Sequence, residues 1–477
     1  MENKLFDIGM IGLGVMGRNL LLNMADQDFK VLGYDKAGEK TAALEGYASP
    51  GTVVKGVTSL TEFIQLLDVP RRIMLLVPAG KPVDDVIETL IPLLEKGDII
   101  IDAGNSYYKD TIRRDAYLAD KGLRFLGMGI SGGEEGARTG PSIMPGGDEN
   151  AWLYMEAVLE KIAARVNDVP CVGYLGKHGA GHFVKMVHNG IEYGIMQLIS
   201  EAYGLLHDGL GLSNDELAAL FDKWNKEDMT SYLVEITAKI FAFKDDKTGN
   251  RLVDMILDKA GSKGTGKWTS QEALDLGVPI PTIDMAVTMR NFSSFKEERV
   301  SAALLYRSEK KKIEQDRETF IKQVHDSLYF ATLISYVQGL AMLQKASETL
   351  GMEIPMPKVV KVWRGGCIIR STMLDIFSQA YEKDPSKANL LLDSNIASEL
   401  KAKADSLRAV VSASALNGYP SGTFMSSLSY YDAYLSDRMP TNLIQAQRDY
   451  FGAHTYQRTD VPETFFHTEW MGNKVKG

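Results

Sequence analysis

The amino-acid sequence predicts a doubly wound α/β domain, then a large all-α domain and a short C-terminal tail. Residues 1–178 alternate short apolar runs with helical patterns, as expected for a mostly parallel sheet with helices on both faces. In residues 179–437 strand signals nearly vanish and apolar residues recur with helical periodicity. In residues 438–477 that periodicity fades and aromatic residues cluster. A chain of 477 residues is too long for one ordinary domain, so these three segments are the predicted domains.

The composition argues against several classes of protein. Hydrophobic residues make up 45% and charged residues 24%, as in soluble globular proteins, and no run of eighteen apolar residues could span a membrane. A formal net charge of −9 argues against broad binding to nucleic acid or to membranes. Cys171 and Cys367 are too few for a disulfide framework, and neither has metal-ligand spacing. With no cleavable signal pattern at the N-terminus, we expect a cytoplasmic protein.

A glycine-rich turn predicts where a dinucleotide binds. An apolar run leads into GLGVMG, in which Gly12, Gly14 and Gly17 have the G-x-G-x-x-G spacing. A helical pattern follows, and a second strand, Lys30–Tyr34, ends at Asp35, about twenty residues further on. In a Rossmann-type domain such glycines allow a tight turn and a close approach to pyrophosphate, which the helix N-terminus attracts. The alternative is a glycine-rich turn in another kind of α/β domain.

Polar or glycine-rich segments follow three further predicted strands. The strands are Arg72–Val77, Asp98–Asp102 and Arg124–Gly129, and the segments after them contain Val77-Pro78-Ala79, Asn105-Ser106 and Ser131-Gly132-Gly133. Ligands of such sheets bind beyond the carboxyl ends of the strands, so these segments are candidate binding loops. Alternatively, Asn105 and Ser131 cap turns. The glycines of Ser131–Gly147 indicate a close approach of the backbone, for which a ligand is one reason.

The stretch GAGHFVKMVHNGIEYG, residues 179–194, carries the candidate catalytic residues. As a helix it places Lys185, His188, Asn189 and Glu192 at i, i+3, i+4 and i+7, which is one face. A lysine whose pKa is lowered is a general base, and a glutamate whose pKa is raised is a general acid. The alternative is a solvated face with an ion pair between its two ends.

The helical region and the tail hold further candidates. GSKGTGKWT places Lys263 in a basic, glycine-rich segment that would hold a phosphate or carboxylate, or else form an exposed linker. Similarity between Ile199–Leu205 and Ile334–Leu340 suggests an internal duplication, or a chance likeness of two amphipathic helices. The aromatic tail is too short for its own core and too aromatic to stay in water. We therefore expect it to dock on the main body or on a second subunit.

Six motifs stand in this order along the chain: GLGVMG, DAGNS, SGGEEGARTGPSIMPGG, GHFVKMVHNGIEYG, KGTGKWT and QRDYFGAHTYQR. Together they resemble the motifs of the decarboxylating 6-phosphogluconate dehydrogenases. The resemblance implies oxidative decarboxylation of 6-phosphogluconate to ribulose 5-phosphate and CO2, without a metal. It implies that Lys185 is the general base at the C3 hydroxyl and that Glu192 is the acid that protonates C1 of the enediol.

The resemblance also implies binding roles and a homodimer. Substrate contacts are implied for Asn105, Ser131, Gly132, Gly133, His188, Asn189, Tyr193, Lys263, Arg290, Arg448 and His454. Cofactor contacts are implied for Gly12, Leu13, Gly14, Val15, Met16, Gly17, Asp35, Lys36, Ala37, Val77, Pro78, Ala79 and Asn105. Arg448 and His454 match tail residues that the family inserts into the partner's site, so a homodimer with exchanged tails is implied.

The coenzyme loops depart from the family pattern. The family usually binds NADP, with an Asn-Arg-Thr/Ser run after the second strand, whereas this chain has Asp35-Lys36-Ala37. A carboxylate at that position accepts the ribose 2′-hydroxyl of NAD and repels the 2′-phosphate of NADP. Pro78 also replaces a lysine of the family's Val-Lys-Ala run. These departures predict a preference for NAD, or use of both coenzymes.

Two other functions are open to a chain with this first domain. Another β-hydroxyacid dehydrogenase, such as a 3-hydroxyisobutyrate-type enzyme, would explain that domain and Lys185, but not the long helical domain, Glu192 or the tail. A catalytically silent dinucleotide-binding sensor would be favoured by loss of Lys185 or Glu192, and both are present. The sequence leaves open whether the pathway is pentose phosphate flux or gluconate breakdown.

Overall fold

The computed structural model describes residues 5–307 and 309–470. Residues 1–4, which begin the first predicted segment, and residues 471–477, which end the last one, lie outside this described part. The chain forms two compact units, and the division falls between Leu428 and Ser429. The predicted domain boundaries after residues 178 and 437 stay predictions.

A seven-stranded sheet forms the N-terminal part of the first unit. Its strands are β1 (Ile8–Ile11), β2 (Val31–Tyr34), β3 (Val54–Gly56), β4 (Arg72–Leu75), β5 (Ile99–Asp102), β6 (Arg124–Ser131) and β7 (Ser142–Gly147). They lie in the order β3-β2-β1-β4-β5-β6-β7, and β7 alone of these is antiparallel to its neighbour. This arrangement confirms the predicted doubly wound α/β domain. The strand order reverses between β1 and β4, where such sheets bind ligands.

Helices cover both faces of this sheet. They are α1 (Val15–Asp26), α2 (Gly38–Ala43), α3 (Leu60–Gln65), α4 (Lys81–Leu90), α5 (Tyr108–Ala119), α6 (Gly133–Thr139) and α7 (Glu149–Ile162). Side chains alternate along each strand, so Ile99 and Ile101 join one apolar cluster while Ile100 joins the other. The near-continuous apolar runs of the sequence follow from this burial of both faces.

The sequence analysis did not identify β3, β7, α6 or α7. Most of the glycine-rich run Ser131–Gly147 folds as α6 and β7. A Cβ atom on Gly146 would lie 2.4 Å from the backbone nitrogen of Gly181, in the helix with the candidate catalytic face. At Gly146 the close approach expected from the sequence is therefore to protein and not to a ligand.

The rest of the first unit is helical, which confirms the predicted all-α region. A short antiparallel hairpin of β8 (Arg165–Val166) and β9 (Val169–Pro170) precedes it. The helices are α8 (Ala180–Gly204), α9 (Asn214–Lys226), α10 (Tyr232–Ala242), α11 (Leu252–Met255), α12 (Thr265–Leu276), α13 (Pro281–Ser294), α14 (Lys296–Tyr306), α15 (Arg317–Thr349), α16 (Met356–Trp363), α17 (Leu374–Lys383), α18 (Ser394–Asn417) and α19 (Gly422–Tyr434). None of the described helices is both long and apolar enough to cross a membrane.

Helices α8 and α15 pack closely because small residues line their contact. A Cβ atom on Gly339 would lie 2.5 Å from Cδ1 of Ile191, and one on Gly194 would lie 3.0 Å from Oγ of Ser335. The two segments compared in the sequence belong to these helices, with α8 extended by a π-helical turn, Leu205–Gly209. The internal duplication itself stays a prediction.

The second unit has a polar anchor of its own. It contains the end of α19, α20 (Asn442–Gly452) and an antiparallel hairpin of β10 (Tyr456–Gln457) and β11 (Phe465–Phe466). The buried carboxylate of Asp449 accepts hydrogen bonds from the backbone nitrogens of Thr455 (2.9 Å) and Thr468 (3.1 Å) and from Nε1 of Trp470 (2.8 Å). The sequence analysis did not foresee this organisation in the tail.

A buried glutamate joins α8 to the start of α19. Both carboxylate oxygens of Glu201 accept hydrogen bonds from the backbone nitrogen of Thr423 (2.9 and 3.1 Å), and one accepts from that of Phe424 (3.0 Å). Gln197, one turn earlier on α8, donates a further hydrogen bond. Burial raises the pKa of Glu201 to about 7, although these hydrogen bonds act in the opposite direction.

We predict that Glu201 gives the free energy of unfolding a distinctive pH dependence. Because the folded-state pKa of Glu201 is raised, its carboxyl group stays protonated in the folded protein between about pH 4.5 and about pH 7. In the unfolded chain the same group is ionised over this range. The contribution of Glu201 to stability therefore falls as pH rises through that window, by on the order of 3 kcal/mol. Urea unfolding at pH 5 and pH 8 should show the stability of the wild type, relative to Glu201→Gln, falling by this order.

The matched control is Glu348→Gln. Glu348 also accepts a hydrogen bond from a glutamine four residues earlier, Gln344, but it is exposed. The difference in unfolding free energy between the wild type and Glu348→Gln should be the same at pH 5 and pH 8. If the Glu201 difference is equally flat, the buried carboxyl does not titrate in this range.

Candidate active site

The glycine-rich turn between β1 and α1 is shaped to receive a pyrophosphate. Gly12 has a φ of +100°, which a residue with a side chain rarely adopts, and a Cβ atom on Gly17 would lie 2.0 Å from the carbonyl oxygen of Gly12. Gly14 precedes α1 and caps it with no side-chain hydrogen bond. A helix N-terminus with open N–H groups is an anion site, so these residues fit the phosphates of a dinucleotide.

Several predicted cofactor residues line one cleft of about 540 Å³ next to this turn. Among them are Gly12, Gly14, Asp35, Lys36, Val77 and Pro78. Leu13, Val15, Met16 and Gly17 belong to the same turn and the start of α1, while Ala37 and Ala79 follow β2 and β4 in the loops that border the cleft. The structure therefore brings together the residues on which the prediction of a dinucleotide site depends.

The Asp35 carboxylate is held by backbone groups. One oxygen accepts a hydrogen bond from the nitrogen of Leu13 (2.7 Å), and the other accepts from that of Ala37 (2.8 Å). Nζ of Lys40 lies 3.6 Å from the same carboxylate. Lys36 and Lys40 are exposed and line the cleft. The negative charge that argues for NAD thus has two lysines beside it.

A buried arginine fixes the loop that presents Asn105. Asp102, at the end of β5, accepts hydrogen bonds from the Ser106 hydroxyl (2.6 Å) and from Nη1 of Arg114 (3.2 Å). Arg114 also donates to the carbonyl oxygen of Gly80, in the loop after β4. It therefore ties together two loops at the carboxyl edge of the sheet, and Asn105 is exposed between its anchored neighbours. Sequence reasoning missed Arg114, since a single arginine in an amphipathic helix gives no signal.

The polar face of α8 is buried, which excludes the alternative of a solvated face. Lys185 is 7% exposed, His188 0% and Asn189 9%, whereas the Glu192 side chain is 21% exposed at the far end. The Ser131 hydroxyl lies 3.3 Å from Nε2 of His188 and so joins this face from the end of β6. This face of α8 therefore lies against the sheet at the end of β6, where polar residues follow the strands.

Burial changes the pKa of both proposed proton-transfer groups. It lowers the pKa of Lys185 from its ordinary value and raises that of Glu192. The attraction between the two charges acts the other way in each case but is the smaller effect. Both directions are those required of a base and an acid.

His188 lies between these two groups. Its Nδ1 is 3.4 Å from Nζ of Lys185, 3.0 Å from Oδ1 of Asn189 and 3.8 Å from Oε2 of Glu192. Burial, and then the charge of Lys185, lower its pKa well below the ordinary value. His188 is therefore neutral near pH 7 and acts as a hydrogen-bonding group. The edge-on ring of Trp363, 6.0 Å away between centroids, closes one side.

The wall beyond Glu192 is aromatic and basic. The guanidinium of Arg290 lies 3.9 Å from the centre of the buried Tyr193 ring, and Gly266 packs against the same ring. Nη1 of Arg290 reaches the carbonyl oxygen of Gly261 (3.5 Å), at the start of the loop that carries the exposed Lys263. Half of the predicted basic loop is helical, because α12 begins at Thr265.

The remaining predicted substrate residues fall in two places. Gly132 and Gly133 follow Ser131 at the start of α6, and Gly132 packs against the carbonyl oxygen of Gly366. Arg448 lies in α20 and His454 follows it, both within the second unit. Their proposed role at the α8 face stays a prediction. Among the residues in the ranges 5–307 and 309–470, no three histidine, cysteine, aspartate or glutamate side chains are grouped so that they could hold a metal ion.

Two family models match nearly the whole chain. One, described as the NAD binding domain of 6-phosphogluconate dehydrogenase, matches residues 7–176. The other, described as the 6-phosphogluconate dehydrogenase C-terminal domain, matches residues 181–470. The junction between them falls immediately before the candidate catalytic face of α8.

Individual relatives agree with these models. The NADP(+)-dependent, decarboxylating 6-phosphogluconate dehydrogenase of Bacillus subtilis is 51% identical over 465 residues, which cover 97% of this chain and 99% of the relative. The decarboxylating enzyme of Mus musculus is 48% identical, covering 98% and 97%. The solved 6-phosphogluconate dehydrogenase of Plasmodium falciparum, studied alone, with NADP+ and with 6-phosphogluconate, is 44% identical with a TM-score of 0.94, covering 97% and 100%.

We predict that the position of α8 depends on Gly129. A Cβ atom there would lie 2.3 Å from Cβ of Lys185, so Gly129→Ala should lower the free energy of unfolding by about 1–3 kcal/mol through overpacking. Gly204→Ala is the matched control, because Gly204 ends the same helix in helical geometry with nothing within 4 Å of an added Cβ. It should be neutral or up to about 1 kcal/mol stabilising in urea unfolding. Equal effects of the two substitutions would contradict the close contact.

Proposed function

The chain belongs to the 6-phosphogluconate dehydrogenase family, and from its α8 face we infer how it catalyses the oxidative decarboxylation of 6-phosphogluconate to ribulose 5-phosphate and CO2. The observation that carries the mechanism is the series formed by the buried Lys185 and His188 and the partly exposed Glu192, in which the pKa of the lysine is lowered and that of the glutamate is raised. One residue is thereby prepared to take a proton and the other to give one.

We propose that neutral Lys185 removes the proton of the C3 hydroxyl. A bound nicotinamide supplies the acceptor for the hydride that leaves C3. The product of this step is a β-keto acid, and the protonated Lys185 donates a hydrogen bond to its C3 carbonyl oxygen. When the carboxylate leaves as CO2, the electrons of the broken bond move towards that oxygen, and the nearby cation stabilises the developing charge.

Glu192 completes the sequence by protonating C1 of the enediol, while Lys185 at the neighbouring oxygen first gives its proton to form the enediol and then takes it back as the ketone forms. Its partial exposure at the end of the face fits a group that must recover a proton from solvent after each turnover. Neutral His188, with Asn189 and Ser131, supplies hydrogen bonds that orient the sugar hydroxyls. We assign the phosphate to Arg290, with Lys263 holding other substrate oxygens, because the cationic wall lies beyond Glu192.

Dimerisation belongs to the same proposal. Arg448 and His454 would complete the site from the partner's tail, whose polar anchor at Asp449 fixes the local backbone around both residues. The two free, buried cysteines fit the cytoplasmic location expected from the sequence.

We predict that Lys185→Met and Glu192→Gln each lower kcat by at least a hundredfold, the usual minimum for losing a general base or acid. Coenzyme affinity should change less than threefold, since the glycine-rich turn is untouched. The assay follows reduced coenzyme, CO2 and pentulose phosphate together. Lys345→Met, an exposed lysine on α15, is the control and should keep wild-type turnover.

Three outcomes would contradict this scheme. Full activity in Lys185→Met would remove the lysine from the mechanism. Oxidation without release of CO2 would favour a different β-hydroxyacid dehydrogenase. Coenzyme binding without any turnover of 6-phosphogluconate by the wild type would favour a silent sensor.

We propose further that the enzyme uses both NADP and NAD. The relatives named for NADP set the expectation for the family. Here Asp35 repels a 2′-phosphate, but its oxygens already accept two backbone hydrogen bonds, and Lys36 and Lys40 offer compensating positive charge. Neither coenzyme is therefore strongly excluded.

Paired kinetics with NADP and NAD test this balance. We expect the two values of kcat/KM to differ by less than a hundredfold, or about 2.7 kcal/mol. Asp35→Asn should shift the ratio towards NADP, because it removes a charge that repels phosphate. Replacing Lys36 and Lys40 together by Met should lower kcat/KM with NADP at least tenfold and change that with NAD less than threefold. A wild-type preference for NADP above a hundredfold would show that Asp35 does not set the choice.

A further inference from the structure

A buried glutamate outside the α8 face connects two of the proposed substrate loops. Glu272, on α12, is 2% exposed. Its carboxylate accepts hydrogen bonds from the hydroxyls of Tyr107 and Tyr108 (2.5 Å for Tyr108) and from Nζ of Lys109 (2.7 Å). These three donors are consecutive residues at the start of α5, immediately after Asn105-Ser106.

The three donors keep Glu272 ionised in the interior. Burial alone would raise the pKa of Glu272, but the hydrogen bonds from Lys109, Tyr107 and Tyr108 outweigh it and lower the pKa. A buried carboxylate is unfavourable unless it is fully paired. The contact is therefore stable only when α12 and the start of α5 are correctly aligned. The ring of Trp268, one turn earlier on α12, adds an aromatic contact with Tyr107, 5.0 Å between centroids.

Helix α12 is also pinned to the catalytic helix. The hydroxyl of Thr269 donates to the backbone carbonyl oxygen of Met186, next to Lys185 (2.9 Å). The loop that carries Lys263 leads directly into α12. One short helix thus links the Lys263 loop, the α8 face and the Asn105 loop, which come from different layers of the fold.

We propose that Glu272 is a positioning residue that couples the Asn105 loop to the Lys263 loop, so that both hold the sugar acid in one fixed geometry. The inference rests on the proposed substrate roles of Asn105 and Lys263. Glu272 does not touch the substrate; it acts through the tyrosine hydroxyls and Lys109. A residue with a merely structural role would stabilise the fold without tuning substrate affinity separately from turnover.

Glu272→Gln tests this assignment. The amide oxygen can accept from one tyrosine, but its NH2 group cannot accept from the other, and the charge of Lys109 loses its partner. We expect KM for 6-phosphogluconate to rise at least tenfold, with kcat within threefold of wild type. Glu272→Asp, which keeps the charge on a shorter side chain, should recover part of the lost affinity.

The matched control is Asp275→Asn. Asp275 lies on the same helix, 3.6 Å from the same lysine, but it is 68% exposed. Its KM should stay within twofold of wild type. If Glu272→Gln is too unstable to assay, Tyr107→Phe and Tyr108→Phe remove one hydroxyl each while keeping both rings, and each should raise KM at least threefold.

Coupling between the loops is measured by a double-mutant cycle of Asn105→Ala and Lys263→Ala on kcat/KM. In the wild-type background, the fold-loss of kcat/KM in the double variant should differ at least fivefold from the product of the two single fold-losses. In the Glu272→Gln background, it should equal that product within twofold. An unchanged KM in folded Glu272→Gln, or an equal departure in both backgrounds, overturns the positioning role. A wild type that does not turn over 6-phosphogluconate would instead overturn the proposed function.

Discussion

Removal of the α8 polar face from water is the constraint on which the active site depends. On an exposed helix the lysine would be solvated and charged, and so unable to act as a base. Here the helix is pressed against the sheet because Gly129, Gly146 and Gly181 carry no side chains at the contact. The close approach of the two backbones removes Lys185 from water, and this burial lowers its pKa.

The surrounding buried ionisable side chains hold loops and helix ends together. Arg114 joins the loops after β4 and β5, and Glu272 joins the second of these to α12. Glu201 joins the far end of α8 to the start of α19. A buried charge with several short hydrogen bonds is costly to displace, although a well-packed apolar substitute can be equally stable. What these groups provide is a defined position for each loop that approaches the α8 face.

Local patterns in the sequence predicted much of this arrangement. The spacing of Gly12, Gly14 and Gly17 after an apolar run predicted β1, its turn and α1, and helical spacing predicted that Lys185 and Glu192 share a face. By contrast, β3 has three partly buried residues at a sheet edge, and β7 is glycine-rich and buried at every position, so neither shows the alternating pattern of a half-buried strand. Glu272 and its tyrosine partners are more than 160 residues apart, a distance over which no periodicity carries information. The hydrogen bonds that occupy Asp35 were equally hidden, because sequence gives a residue type and not its partners.

The proposed order of proton transfers requires the base and the acid to stay apart, and Lys185 and Glu192 lie at opposite ends of one face. Each opposes the pKa shift of the other, so direct contact would restore the ion pair and abolish the acid and the base together. His188, kept neutral by burial, fills the space between them without adding charge. In the proposed mechanism, Lys185 can then hold the proton taken from the C3 hydroxyl while Glu192 keeps its own proton for C1. On this proposal one helix face carries out two proton transfers, one at the C3 hydroxyl and one at C1, because the i, i+7 spacing keeps the two groups apart with a neutral imidazole between them.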